Sequence, residues 1–278
     1  MAHFLSSANI MKWISSIILT VSIGFIYANT NGQNLKASAD TLRKFSVKAY
    51  KVGEELDYVL HYGLVNAGVA KLKVEATDRT VYGRPLLHLV GTGRSVGAFN
   101  WFFKVRDRYE SYLDANGAFP WIFIRRVNEG GYEINQDYKF YQHQQKVETG
   151  KHKVFDIPEY TQDMLSAFYY ARTLNFDTAK IGDVFTIPAF VDDEYWPLKI
   201  KYLGSDVVSI RNGKFKCRKF VPVVQKGRIF KDEEDLNVWI TADKNNIPVL
   251  IQAKVLVGSI KMELTDYKGL AAPISKID

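Results

Sequence analysis

A mainly β fold is predicted: a large curved antiparallel sheet or partial barrel, built from two similar meander halves, with one central helix packed on it. Three observations carry that prediction. Sixteen Tyr and seventeen Phe accompany frequent β-branched residues in a chain of 278, a composition that favours strands. Apolar and polar residues alternate at period two along most of the chain, with Gly, Asn or Asp at the breaks. Only Thr161 to Leu174 reads firmly as a helix.

Residues 1–32 read as a secretory signal peptide. Lys12 precedes an apolar run from Trp13 to Ile26, shorter than the ~20 residues a bilayer span needs. Small and polar residues from Ala28 to Gln33 follow, and cleavage is expected after Ala28 or Gly32. An uncleaved anchor helix is the alternative. Removing the segment lowers the formal charge from +7 to +6, a modest basicity that suits anionic headgroups or acidic glycans but also an ordinary solvated surface. The single cysteine, Cys217, cannot make an internal disulfide and lies too far along to carry a lipid at a mature N-terminus. The expectation is a periplasmic or secreted protein, not lipidated.

A polar lead-in occupies residues 33–52, and a first β half occupies residues 53–155. Leu56, Tyr58, Leu60 and Tyr62 alternate, Gly63 to Gly68 supply a turn, and Ala70, Leu72, Val74 and Ala76 alternate against Lys71, Lys73 and Glu75. Tyr82-Gly83 turns again before a strand at Pro85 to Val90. Phe103 to Leu113 sets Lys104, Arg106, Arg108 and Glu110 on one side, Asn116-Gly117 supplies a hairpin turn, and Trp121 to Val127 returns. Glu129-Gly130-Gly131 leads into a strand holding Tyr132, Ile134, Tyr138 and Phe140.

The helical connection spans residues 156–181. Thr161 is the expected N-cap, Asp163 places negative charge at the positive end of the dipole, and Asn175 offers an exit. Met164, Leu165, Phe168 and Ala171 share a face, with Tyr169 and Arg172 beside it. Burying Met164, Leu165 and Phe168 stabilises by about 1.5–3 kcal/mol each, so the helix should lie on the sheet.

The second β half, residues 182–269, repeats the order of the first, and residues 270–278 form a tail. Gly182 stands as Gly53 does, Gly213 as Gly83, Pro248 as Pro120 and Tyr267 as Tyr138, at offsets of 128–130 residues. Four near-equal offsets point to duplication of one meander.

Three groups of residues carry a family resemblance: Gly53 to Tyr58 with Tyr62-Gly63 and Ala67-Gly68; Asp163 to Arg172; and Val238-Trp239-Ile240 leading to Pro248. Together they resemble the exported bacterial family called domain of unknown function 3108, from about Val52 to Gly269. The resemblance implies an exported β-rich protein with no assigned reaction and no catalytic residues to carry over. The segment around Trp239 and Pro248 is also similar to a piece of the periplasmic lipoprotein carriers, whose half-barrel holds acyl chains.

Signatures of familiar catalysis are missing from the sequence: no nucleophile elbow, Walker loop, zinc helix or dinucleotide fingerprint occurs. Ser166 lacks a Gly-x-Ser-x-Gly context. His143 and His152 flank a turn with Glu148 and could meet around a transition metal, although surface histidines are the simpler reading. Cys217 lies between Lys216 and Arg218, which could lower its thiol pKa, while a small strand residue is the plainer account. Asp192-Asp193-Glu194 and Asp232 to Asp235 lack the spacing of a calcium loop. No enzyme, no cofactor, no metal and no nucleic-acid partner is therefore expected.

Phe99, Trp101 and Phe102 concentrate aromatics in a connection, where apolar surface normally has to be buried. The expected site is an apolar groove closed by these three residues and floored by Phe168 and Tyr169. Trp121 is counted among the ligand-binding residues, and Arg125 and Arg126 lie at the rim for an anionic head. The expected function is non-catalytic binding of a hydrophobic or amphipathic, lipid-like small molecule, with peripheral membrane contact as a further expectation. An adaptor or structural protein of the cell envelope, binding proteins or glycans through sheet edges or basic strand faces, is the alternative. An unrecognised hydrolase comes third.

Overall fold

The computed structural model describes residues 39–223, 236–254 and 259–277. The signal peptide at 1–32, the first part of the lead-in and the acidic connection Arg228 to Asp235 lie outside the described residues. No helix among the described residues is long and apolar enough to cross a membrane.

Alternation yields strands throughout. The first meander contains β1 (Glu55–Tyr62), β2 (Val65–Val81), β3 (Arg84–Ser95), a single-turn helix α1 (Phe99–Phe102), β4 (Val105–Asp114), β5 (Pro120–Glu129) and β6 (Tyr132–Tyr141). Short strands β7 (Lys146–Thr149) and β8 (Val154–Asp156) precede the main helix α2 (Met164–Arg172). The second meander contains β9 (Val184–Val191), β10 (Glu194–Ile210), β11 (Gly213–Pro222), β12 (Leu236–Thr241), β13 (Pro248–Lys254) and β14 (Ser259–Lys268). They form one antiparallel sheet in the order β8-β7-β6-β5-β4-β3-β2-β1-β14-β13-β12-β11-β10-β9, and β15 (Lys276–Ile277) pairs with β11.

The halves match strand for strand. β1 and β9 have eight residues each, and β2 and β10 have seventeen each. Gly53 and Gly182, two residues before β1 and β9, both take the left-handed backbone, with φ of 91° and 96°. At one junction the first strand of one meander pairs with the last of the other, β1 with β14. The equivalent junction would join β9 to β6, but β7, β8 and the helical connection are inserted there. The sheet therefore ends at β8 and β9 and does not close into a barrel. Side chains and a one-residue parallel bridge span the gap instead: the Phe190 ring of β9 lies 5.2 Å from Tyr138 of β6 and 5.3 Å from Phe155 of β8, while Gln162 N donates to Pro188 O and Phe190 N to Gln162 O, both at 2.8 Å.

α2 fills the space beside this seam. Its N-cap is Asp163 rather than Thr161: Oδ1 accepts from Leu165 N and Ser166 N at 2.8 Å, while Ser166 Oγ accepts from Asp163 N at 2.9 Å. A carboxylate is the stronger acceptor for first-turn amides, and the Thr161 hydroxyl donates to Pro158 O instead. Ser111 Oγ donates to the other Asp163 oxygen at 2.6 Å, which ties the helix start to β4. The helix is capped at its other end by Thr173, and Asn175 accepts from Asp177 N beyond it.

Two sides of α2 are covered, so more of it is buried than one face. Leu165 and Tyr169 join Leu89, Phe123, Tyr138 and Phe140 of the first meander, while Ala167 packs on Ile187 and Ala189 of β9. Gly91 of β3 faces the helix: a Cβ there would reach ordinary contact with Leu165 Cδ1 at 3.5 Å and crowd Leu72 Cδ2 at 3.2 Å. The lead-in also enters the core. Leu42, Ala49 and Tyr50 are buried, and Arg43 donates to the carbonyls of Gly117 and Ala118 at 2.7 and 3.1 Å.

The β4–β5 turn differs from its expected form. Neither Asn116 nor Gly117 takes positive φ; Ala118 does, at 49°. The Phe119 ring folds onto Gly117, where a Cβ would lie 2.2 Å from ring carbon Cε1, so glycine is needed there for space rather than for backbone freedom. The first hairpin is likewise tighter than expected, since β2 already begins at Val65.

Candidate functional site

The structure does not assemble the expected apolar groove. Phe168 and Tyr169 are packed in the core of the first meander, with the Tyr169 ring 5.0 Å from Tyr50. Phe99 meets Tyr62, at 6.1 Å between rings, and Trp101 and Phe102 are 86% and 78% exposed, so they cover nothing. Trp121 is buried in a separate cluster with Leu42, Leu86, Tyr112 and Phe119, its indole donating to Asp114. The two arginines face opposite ways. Arg125 shares the inward parity of Phe123 and Val127, is 1% exposed and donates to Asp192 at 2.9 Å. Arg126 lies on the outer face and pairs with Asp137 at 2.7 Å.

Other polar candidates have structural explanations. Ser166 is the capping partner described above. His152 pairs with Glu148 at 3.0 Å, whereas the His143 ring meets Tyr82 edge-on at 4.7 Å, and among the described residues no group of His, Cys, Asp or Glu is arranged to hold a metal ion. Asp192 and Asp193 form the β9–β10 turn at φ of 51° and 63° and dock onto β5 and β6 through Arg125 and Tyr138. Cys217 is buried, and burial pushes its thiol up to about 12, the opposite of activation.

A trench of about 710 Å³ runs across the outer face of β1 to β6. Its geometry follows from register. Glu133, Asn128, Arg106, Arg94 and Val69 stand opposite one another in a row across five strands. Asn135, Arg126, Arg108, Thr92, Lys71 and Asp57 form the next row, two residues along each strand. Between the rows run Val127, Asp107, Gly93 and Ala70, whose side chains alternate to the inner face and leave backbone as the floor.

Charge in the trench is unbalanced. Arg94 lies directly opposite Arg106, and Arg108 directly opposite Arg126, giving four exposed guanidiniums on neighbouring positions of one face. Arg108 has Glu110 at 2.8 Å and Arg126 has Asp137. Arg94 and Arg106 have no carboxylate partner among the described residues. Like charges opposite one another across strands destabilise a sheet, and a bound anion would relieve that repulsion while using the planar, forked donors of arginine. The sequence carried part of this signal in the alternating Lys71-Lys73 and Arg106-Arg108. What it lacked was the register that brings Arg94 and Arg126 beside them.

The sequence profile of a family described as a protein of unknown function, DUF3108, matches residues 57–265. The chain belongs to this family. The DUF3108 chain shares its fold with a β-barrel-like protein of domain of unknown function DUF1849 from Brucella abortus, at a TM-score of 0.52 and 11% identity, over 80% of this chain and 99% of that one. A protein with a YmcC-like fold from Bacteroides fragilis gives a TM-score of 0.33 at 9% identity, over 79% of this chain and 97% of that one. The hypothetical protein CT021 from Chlamydia trachomatis gives 0.37 at 8% identity, over 84% and 95%. A comparison of the DUF3108 chain with curated proteins found no match.

Proposed function

We propose that this DUF3108 protein is an exported, non-catalytic binding protein that takes an anionic component of the cell envelope on the outer face of its first meander. The carrying observation is the Arg94–Arg106 pair, held opposite each other with no carboxylate partner among the described residues and flanked by Arg108 and Arg126. The ligand chemistry that fits is a row of phosphate, sulfate or carboxylate groups, as on an acidic glycan or on lipid headgroups. An amphipathic ligand held inside the sheet is the weaker reading, because the residues expected to floor its groove are engaged in the core. Export rests on the apolar segment at residues 13–26 and the small residues that follow it.

Retention of the purified protein on an immobilised polyanion, eluted by a salt gradient, tests the reading. Arg94→Gln/Arg106→Gln is expected to weaken retention at least tenfold with unchanged or higher thermal stability, since a repulsive pair is removed. Lys199→Glu, an exposed charge change on the second meander, is expected to have little effect. Equal losses for both variants would reduce the interaction to net charge and end the assignment.

A further inference from the structure

The connections β1–β2, β3–β4 and β5–β6 all lie at one end of the first meander, and they touch. Tyr62, at the end of β1, meets Phe99 of α1. Phe103, just after α1, lies on Gly130 of the β5–β6 turn, where a Cβ would fall 2.5 Å from its ring, and Gly130 N donates to Lys104 O at 2.9 Å. This rim presents large apolar side chains to solvent: Leu64 is fully exposed, and Trp101 and Phe102 stand out from α1. Beside them come Lys104, exposed between α1 and β4, and then Arg94 and Arg106, the trench residues at this same end of β3 and β4. An exposed aromatic and aliphatic tip bordered by unpaired cations is the arrangement expected at a membrane–water interface. Trp favours the headgroup level there, and each nearby Lys or Arg adds attraction to anionic lipid.

We infer that this end of the protein docks on an anionic phospholipid leaflet, with Trp101, Phe102 and Leu64 entering the interface and Arg94, Lys104 and Arg106 meeting headgroup phosphates. The inference rests on the anion-binding reading for its electrostatic part and names phospholipid as the source of the anions. Charge complementarity commits the surface to a bilayer rather than to a protein groove: Arg94, Lys104 and Arg106 border the apolar tip, and among the described residues no carboxylate pairs with Arg94 or Arg106.

Sedimentation with phosphatidylcholine vesicles, with and without about one third phosphatidylglycerol, tests it on the full exported chain. Binding is expected only to the anionic vesicles, with a blue shift of tryptophan emission that Trp101→Phe removes. Trp101→Ala/Phe102→Ala is expected to lower vesicle partitioning at least tenfold while leaving retention on the soluble polyanion matrix unchanged. Those two side chains are exposed, so loss of folding is not expected, and circular dichroism checks it. Unchanged vesicle binding by the double variant overturns the inference. So does polyanion retention without vesicle binding, which leaves the anion-binding reading intact with a glycan or an acidic protein as its ligand. Loss of both activities in the wild-type protein overturns both.

Discussion

Arg172, in the last turn of α2, and Glu54, just before β1, form a two-pronged ion pair across 118 residues, with Nη1–Oε1 at 2.7 Å and Nη2–Oε2 at 2.8 Å. The same guanidinium donates to Ala49 O and Asn245 O, both at 2.9 Å. One side chain therefore joins the lead-in, the first meander, the helix and the second meander. Both partners are buried, and the rings of Tyr50 and Tyr169 lie 5.4 and 5.2 Å from the guanidinium carbon.

Arg172→Met is expected to cost about 3–5 kcal/mol, because it leaves the Glu54 carboxylate buried without a cation. Glu54→Leu/Arg172→Met is expected to lose less than either single change, since an apolar pair needs no compensation there. Urea denaturation of the three variants measures the difference. A double variant as weak as Arg172→Met alone would mean that the bonds to Ala49 and Asn245, lost in both, outweigh the ion pair.

Much of the fold was legible because turn chemistry and strand parity are local. Gly53, Tyr82-Gly83, Glu129-Gly130-Gly131 and their later counterparts marked the strand ends, and the helix announced itself through Asp163 and its apolar period. The candidate site was legible only in its alternating basic residues, for two physical reasons. Cross-strand neighbours are set by register, which no single strand encodes, so Arg94 and Arg106 could not be seen as a pair. Apolar connections are normally buried, so the aromatic connection reads as the cover of a groove, whereas Trp101 and Phe102 face solvent. Arg125 did carry a readable signal, since it shares parity with Trp121, Phe123 and Val127 and not with its neighbour Arg126.

The seam between the meanders is held by side chains and the two backbone bonds of Gln162 where a full ladder is missing, so it should be the part of the sheet that opens most easily. Asp192 bonds Arg125 and Gln136, and Asp193 bonds the Tyr138 hydroxyl at 3.0 Å. Asp192→Asn keeps a residue that tolerates the left-handed turn while removing its charge. It is expected to destabilise by about 1.5–3 kcal/mol, because the buried Arg125 guanidinium keeps an amide oxygen as acceptor but loses its carboxylate. Hydrogen exchange should quicken in β9 and β10 and stay unchanged in β1 and β14, whose junction is a full ladder. Uniform acceleration over the sheet would show that the seam does not open separately.

Asp107, on the inner face of β4, supplies a pH dependence. Burial, then the neighbouring Glu129 carboxylate, pushes its carboxyl up to about 7, opposed by a bond from Asn128 N and by the charge of Arg125. The folded state thus holds this proton more tightly than the unfolded state, whose reference value is 3.8. Its contribution to stability is complete below that value and is lost as pH rises through about 7. Glu110 and Glu263, both lowered in the folded state, act in the opposite direction: the first chiefly through Arg108, the second through bonds from Arg211 N and Lys261 that outweigh its burial. The informative quantity is therefore the difference between wild type and Asp107→Asn. Between pH 4 and 7 the wild-type melting temperature is expected to fall relative to that of the variant, which mimics the protonated carboxyl at every pH. Parallel melting curves across that range would mean that Asp107 is already ionised at pH 4 in the folded protein.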